Sequence, residues 1–268
     1  MMGPSHALSG AAVWLAGSWA LDYTGVYHQS PLAVAVGAAV CAGGALLPDM
    51  DLSGRVTANK GGATVAHTFG VFSLFAAEVI EKLSLGVYEL TRTRKDPDRE
   101  NGHRTLTHTL PFAVLVGWGT TFLCGRFGVA AVVPILFVML GLALRGLFHQ
   151  WARQAGWLVV TLISAAGAYG TFLYLRPDRG YPMLGLAVGV GCLIHLAGDF
   201  VTTAGIPLFW PIPTGRRMWR MVGVPNSVAV HVGGRMELVL RGLFVIVSFL
   251  AAAAMLAPGA LRRFNIEL

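Results

Sequence analysis

Long apolar stretches alternate with short polar segments along the whole chain. A membrane-spanning helix needs about 20 mostly apolar residues, and seven stretches approach or exceed that length. The pattern therefore predicts an all-α fold, a polytopic integral membrane helical bundle of about seven spans. The candidate spans are residues 7–24, 31–47, 106–124, 127–147, 155–175, 182–204 and 237–257.

A further segment, residues 63–80, has a different pattern. It carries His67, Ser73 and Glu78, and its apolar side chains recur near helical spacing. This is typical of an amphipathic helix that lies at the membrane interface. If the segment does not span, 15 of the 20 Lys and Arg residues fall on one side of the membrane, whereas a spanning segment leaves a weaker bias. Because Lys and Arg accumulate in cytoplasmic loops, we prefer seven spans with the basic loops in the cytoplasm.

The composition agrees with a single membrane domain over residues 1–268. Hydrophobic residues make up 55% of the chain and charged residues only 12%, about half of the roughly 25% that soluble domains carry. Two longer segments interrupt the spans. Residues 52–102 form an expanded cytoplasmic or interfacial insert, and residues 205–236 form a cytoplasmic loop.

The net charge of +7 does not indicate a nucleic-acid partner, because the basic residues are spread over the loops between helices. Anionic lipid headgroups are the expected counter-charge. Cys41, Cys124 and Cys192 each lie in an apolar stretch without CxxC spacing. We therefore expect neither a disulfide framework nor a thiolate metal site.

Four short clusters put ionisable side chains at the ends of apolar segments. A charge in the membrane costs at least a few kcal/mol unless it is paired or bound to a metal, so such residues usually mark function. With seven spans, all four clusters fall at cytoplasmic helix ends and can meet there. They are Ser5-His6, Asp49-Met50-Asp51, the run from Gly102 to Thr109, and the run from His195 to Asp199.

Carboxylates and imidazoles dominate three of these clusters. His195 and Asp199 are four residues apart and share one helix face, so they either bind one ion or form a hydrogen bond within the helix. Asp49 and Asp51 repel each other unless a cation or a shared proton relieves them, although a solvated turn would also explain the pair. His6 is either a ligand or an interfacial histidine.

The remaining cluster contains two histidines. His103 and His108 are five residues apart, so they cannot share one helix face. We expect one of them in the loop before the helix, with Thr105 or Thr107 as the helix cap. Arg104 shares a face with His108 and is placed to contact an anionic group, although basicity at the membrane surface explains it equally.

Imidazole and carboxylate donors without thiolates suit Zn²⁺, Mn²⁺ or Fe, and could hold one ion or two ions about 3.5–4 Å apart. Such a divalent metal ion would act as a Lewis acid and activate water. An Asp or His outside the ligand set would serve as the general base. We assign the metal-ligand role to His6, Asp49, Asp51, His108, His195 and Asp199, and the catalytic role to Asp51, His103 and Arg104.

Taken in order, these motifs resemble the YdjM-like family of bacterial inner-membrane proteins, which are described as membrane-bound metal-dependent hydrolases. The resemblance covers most of the chain and includes the "LPDMD" stretch, the "GHRTLTHT" stretch and the "HLAGDFVTTAGIPLFWPI" stretch. The chain differs from the commoner form of the family in its longer segment between residues 52 and 102. The resemblance implies metal ligation or catalysis by His6, Asp49, Asp51, His103, His108, His195 and Asp199.

The leading functional hypothesis is a hydrolase in the inner membrane that acts on a lipid-linked ester or phosphoester at the cytoplasmic leaflet. Membrane lipid is the expected partner, and the sequence contains no signal for an oligomeric state. The alternative is a transporter or metal-ion pathway protein, because ionisable residues in the membrane also mark ion paths. A bis-histidine haem protein and a purely structural protein are further alternatives. The neighbouring aspartates argue against haem.

Overall fold

The computed structural model describes residues 1–53, 65–175 and 182–256, and within these ranges the chain is built from helices. The all-helical prediction is therefore confirmed. Eight α-helices follow in chain order: α1 Gly3–Tyr23, α2 Pro31–Gly44, α3 Val71–Thr91, α4 Leu110–Phe127, α5 Val129–Leu147, α6 His149–Leu175, α7 Pro182–Phe200 and α8 Arg235–Leu256.

Six segments of the described chain are long and apolar enough to cross a membrane, and they correspond to six of the seven predicted spans. The remaining predicted span, residues 7–24, lies in α1. This helix is 21 residues long and contains Ser5, His6, Ser9 and Asp22, and it is not among those six segments. The arrangement agrees with about seven spans.

Helix α2 lies at the centre of the bundle, where it packs against α1, α5 and α7. Small residues allow these close approaches. A Cβ atom at Gly43 would lie 2.2 Å from the Met139 carbonyl oxygen on α5, and one at Gly191 on α7 would lie 2.4 Å from the Cys41 carbonyl oxygen. The position of α2, and of the chain that follows it, therefore depends on glycines at these contacts.

Helix α3 lies within the insert and is not among the described segments that are long and apolar enough to cross a membrane. The Asp51 and His103 side chains that flank the insert are in contact, with Oδ1 and Nδ1 2.8 Å apart, which agrees with an insert that begins and ends on the same side. The predicted helix at residues 63–80 instead begins at Val71. Gly70 has a φ of 61°, a left-handed conformation that interrupts the helix, and residues 65–70 form turns, whereas residues 63–64 lie outside the described ranges.

The surface of α3 agrees with an interfacial location. Phe72 is 82% exposed and Leu90 is 87% exposed, while Lys82 forms an ion pair with Glu78 at 2.9 Å on the same helix. Exposed aromatic and aliphatic side chains beside solvated charges are typical of a helix in the headgroup region.

Two loops join to form a cap, which we define as residues 92–103 and 205–221. Asp96 connects them. Its Oδ2 accepts hydrogen bonds from the backbone N–H groups of Thr93 and Met218, and its Oδ1 accepts one from that of Trp219. Trp219 is buried and stacks on Trp210 with the ring centroids 5.0 Å apart.

Candidate metal centre

The predicted site residues converge at one end of the bundle. The start of α1, the turn after α2, the loop before α4 and the end of α7 each contribute side chains. Most of these side chains are buried, although His103 keeps 27% of its side chain exposed. The residues brought together are His6, Asp49, Asp51, His103, Arg104, His108, His195 and Asp199.

The loop before α4 differs in detail from the sequence prediction. His108 ends a short 3-10 helix, Leu106–His108. The cap of α4 is Thr109, whose hydroxyl accepts a hydrogen bond from the Phe112 N–H at 3.3 Å. The prediction that Thr105 or Thr107 caps this helix was therefore wrong, because the 3-10 turn delays the start of α4 to residue 110. The two threonines bond elsewhere: Thr105 to the Gly102 and Ser84 carbonyls, and Thr107 to Asp51.

Four donor atoms meet at the centre of the cluster: Nε2 of His108, Nε2 of His195, Oδ1 of Asp49 and Oδ2 of Asp199. The two Nε2 atoms are 3.2 Å apart. Oδ1 of Asp49 lies 3.7 Å from each Nε2, and Oδ2 of Asp199 lies 3.6 Å from that of His108 and 3.8 Å from that of His195. Bonds of 2.0–2.1 Å in a tetrahedral site put neighbouring donors about 3.3–3.4 Å apart. The five separations that involve a histidine nitrogen are therefore close to the spacing of a tetrahedral metal site.

Both histidine rings are held with Nε2 toward this centre. Nδ1 of His195 lies 2.8 Å from the Ala45 carbonyl oxygen and donates to it. Nδ1 of His108 lies 3.3 Å from Oδ2 of Asp51 and 3.0 Å from the Thr107 hydroxyl. Metal-binding histidines usually donate their other ring N–H to a carbonyl or a carboxylate in this way.

Asp51 is fully buried and is surrounded by hydrogen-bond donors. Its Oδ2 accepts from the Thr107 hydroxyl at 2.5 Å and from the Arg104 N–H at 3.2 Å, and its Oδ1 contacts Nδ1 of His103 at 2.8 Å. It therefore contacts His108 through Nδ1, the nitrogen opposite the four-donor centre. Asp51 and Asp49, two residues apart in one 3-10 turn, thus face different surroundings.

His6 is fully buried, and neither of its ring nitrogens makes a hydrogen bond to any described residue. Its ring stacks on His195 with the centroids 3.8 Å apart, and its Nε2 lies 3.3 Å from Oδ1 of Asp199 without hydrogen-bond geometry. Buried polar atoms without partners are rare and often lie beside an ion or water. The orphaned nitrogens of His6 therefore fit a centre that takes a metal ion.

Positive groups also surround Asp199. Nη2 of Arg104 donates to its Oδ2 at 2.8 Å, and the amino group of Met1 contacts its Oδ1 at 2.6 Å. Arg104 also donates to the Gly205 carbonyl and has a φ of 57°, which turns its backbone N–H toward Asp51. Arg104 therefore connects the carboxylates of Asp51 and Asp199 to the cap at Gly205.

The protonation of His108 depends on the carboxylates around it. Burial disfavours the charged imidazole, whereas the carboxylate oxygens of Asp51 and Asp49, 3.3 Å and 3.7 Å from its ring nitrogens, favour it. Without a metal ion, the His108 Nε2–H can donate to Nε2 of His195. A proton then occupies the position between donors that a cation would otherwise take.

Some supporting contacts were not predicted from the sequence. The sequence pattern does not indicate the contact with the Ala45 carbonyl because this is a backbone group, and Thr107 was considered only as a helix cap. Glu237 on α8 accepts hydrogen bonds from the Ser5 hydroxyl at 2.5 Å and the Met2 N–H at 2.6 Å. It thereby fixes the start of α1, which carries His6.

The family model described as YdjM inner membrane protein matches residues 1–262, nearly the whole chain. No curated protein and no solved structure matches it. The match includes each helix that contributes to the centre and agrees with a membrane protein built from apolar helices. This chain therefore belongs to the YdjM inner membrane protein family.

Proposed function

We propose that this protein is a metal-dependent hydrolase in the inner membrane that cleaves a lipid-linked phosphoester at the cytoplasmic leaflet. The observation that supports it most is the group of four donor atoms from His108, His195, Asp49 and Asp199, in which the two imidazole Nε2 atoms lie 3.2 Å apart and each lies 3.6–3.8 Å from the two carboxylate oxygens. Two imidazoles and two carboxylates without thiolates suit Zn²⁺, Mn²⁺ or Fe.

His6 is the candidate for a further ligand, because its unpartnered nitrogens lie beside Asp199. We assign Asp51 a supporting role in place of direct ligation, since it orients His108 and His103. The donor sets also allow two ions, as His6, His195 and Asp199 form one group and Asp49, His103 and His108 form another. When bound, a divalent ion supplies a Lewis acid that polarises a phosphoryl oxygen and activates water.

The protein's own residues supply binding and proton transfer. Arg104 presents a guanidinium beside Asp199, where it can bind a phosphate oxygen through charge-assisted hydrogen bonds. The Asp51 carboxylate holds Nδ1 of His103, whose side chain is partly exposed, and this leaves Nε2 to exchange a proton with water or with the leaving group. His103 is thus the candidate general acid or base.

A phosphoester at the membrane surface is the substrate class that the surroundings favour. Arg216, Arg217 and Arg220 on the cap are exposed or nearly so, and basic groups near the bilayer attract anionic headgroups. The positive-inside rule favours a cytoplasmic location for this face.

The test is elemental analysis of detergent-purified protein, followed by hydrolysis assays on lipid phosphoesters with the metal that is found. Bound metal together with release of phosphate or headgroup would support the proposal. Protein that stays metal-free after reconstitution with Zn²⁺, Mn²⁺ and Fe²⁺ would overturn it. Bound metal without hydrolysis, but with metal flux into proteoliposomes, would also overturn it and would favour transport.

A further inference from the structure

A groove runs beside the metal centre because α8 packs closely against α1 and leaves space between itself and α7. Helix α8 makes extensive contact with α1 but little contact with α7. The space left between them is a cavity of about 490 Å³, within the range of about 300–1,000 Å³ that small-molecule sites occupy.

The walls of this groove are almost entirely apolar. They include Val13 of α1, Ile194 and Ala197 of α7, and Leu240 and Phe244 of α8. Ser9 is the polar side chain among the lining residues, and its hydroxyl is engaged by the His6 carbonyl of its own helix at 2.9 Å. The groove thus offers hydrocarbon contacts and little hydrogen bonding.

One end of the groove lies next to the metal centre. Gly198, which lines the groove, immediately precedes Asp199, and a Cβ atom built at Gly198 would lie 3.0 Å from Cε1 of His6. From this end the groove follows α8 from Met236 to Phe244, a length of about 12 Å at 1.5 Å per residue. A molecule in the groove would therefore have one end beside the donors and the other among the membrane spans.

We propose that this groove binds the hydrocarbon chain of a lipid phosphate, with the phosphate against Arg104 and the donor cluster. The inference rests on the proposed function and names the substrate class of that site. Lipid is the occupant that the surroundings favour, because most of the wall residues belong to helices of the membrane bundle, the loop residues Val224, Val228 and Val230 that complete the walls are apolar, and the outer face of α8 exposes Ile246 and Phe249. The groove is thus continuous with the hydrocarbon region.

Photolabelling tests the groove independently of hydrolysis. The protein is reconstituted in phosphatidylcholine nanodiscs that contain a small fraction of phosphatidic acid with a diazirine at mid-chain, and labelled residues are mapped by mass spectrometry. The blocking variant is Ala197→Trp, since Ala197 is exposed toward the groove. The matched control is Ala253→Trp, an exposed alanine of α8 outside the groove.

We expect labelling at Leu240 and Phe244, and excess unlabelled phosphatidic acid should remove it by competition. Ala197→Trp should abolish this labelling, whereas Ala253→Trp should leave it intact. Labelling confined to outward residues such as Phe249, or groove labelling that Ala197→Trp does not change, would overturn the proposal. If hydrolysis is found, Ala197→Trp should raise KM for the lipid roughly tenfold or more, as changes of one or two methylenes in an apolar pocket do.

The groove and the hydrolase can fail separately. Asp49→Ala should remove hydrolysis but keep competed labelling of the groove, because Asp49 does not line it. Competed labelling in a protein without any hydrolytic activity supports the groove and contradicts the proposed function. Hydrolysis of the lipid without groove labelling supports the function and contradicts the groove.

Discussion

The Nε2 atoms of His108 and His195 lie 3.2 Å apart in a buried centre, although the two residues are 87 positions apart in the sequence. Each ring is turned by a partner on its far side: Asp51 and Thr107 for His108, and the Ala45 carbonyl for His195. The fold thus gathers two imidazole nitrogens and two carboxylates in one place, where they repel each other or share protons until a cation binds.

Replacing a donor should remove the metal without unfolding the protein. We expect His195→Ala and Asp49→Ala to lower bound metal to background in elemental analysis, because each contributes an atom to the four-donor centre. The control is His28→Ala, which removes a histidine paired with Asp22 in an exposed ion pair. Metal retained in both donor variants, with helix content unchanged by circular dichroism, would refute the centre.

Asp51→Asn should weaken metal binding without abolishing it. Asp51 acts through His108, and loss of such an orienting carboxylate typically costs 10–100-fold in metal affinity. Competition titration with a chelator measures the change, and Asp22→Asn at an exposed site is the control. A complete loss of metal equal to that in Asp49→Ala would indicate that Asp51 ligates directly.

His103→Gln should separate catalysis from metal binding. If His103 transfers protons, we expect hydrolysis of a lipid phosphoester to fall about 10²–10⁴-fold, while the metal content stays within error of wild type. Arg99, which donates to the His103 carbonyl, gives the comparison variant Arg99→Lys. Unchanged turnover in His103→Gln would assign the proton-transfer role to another residue.

Gly191→Ala should disturb both the bundle and the centre. The new Cβ atom would lie 2.4 Å from the Cys41 carbonyl oxygen and 2.7 Å from the Ala45 nitrogen, and the Ala45 carbonyl holds His195. We expect a loss of about 1–3 kcal/mol in unfolding free energy, as overpacking usually costs, together with weaker metal binding. Gly119→Ala is the control, because its Cβ atom would meet nothing within 4 Å. Thermal unfolding in detergent measures the stability of the two variants, and equal stability would contradict the tight contact.

The cap should detach in acid. Burial raises the pKa of Asp96, but hydrogen bonds from Thr93, Met218 and Trp219 outweigh this and hold it below its usual value. Its folded-state pKa is therefore lower than the unfolded value of about 4, so its contribution to stability is present above about pH 4 and is lost as the pH falls through the folded pKa. Fluorescence of the stacked Trp210 and Trp219 should report this transition.

Asp96→Ala should detach the cap already at neutral pH, with the same change in the fluorescence of Trp210 and Trp219. It should destabilise the cap by about 2 kcal/mol, the scale of hydrogen bonds to a charged group. The matched control is Asp98→Ala, since the Asp98 side chain is 94% exposed and contacts only the partly exposed Arg92 among the described residues. A fluorescence spectrum of Asp96→Ala identical to that of wild type would show that the cap does not depend on this carboxylate.

Residues close in sequence determined much of the fold and the set of candidate residues. Helices and spans were predictable because the length of an apolar stretch is a local property. The charge bias on residues 81–105 predicted that 63–80 does not cross, and the contact between Asp51 and His103 agrees with that topology. The start of α3 at Val71 was missed, since it depends on the backbone conformation of Gly70.

What the tertiary structure decided is which atoms meet. The sequence predicted metal ligation by both Asp49 and Asp51, but the 3-10 turn after α2 points Asp49 toward both Nε2 atoms and Asp51 toward Nδ1 of His108. The groove between α7 and α8 was equally hidden, because it arises from how helices pack. The sequence alone therefore determined which residues reach one end of the membrane bundle. Their separation to within an ångström, and so their chemistry, depends on the packing of α2 against α7, which involves residues far apart in the chain.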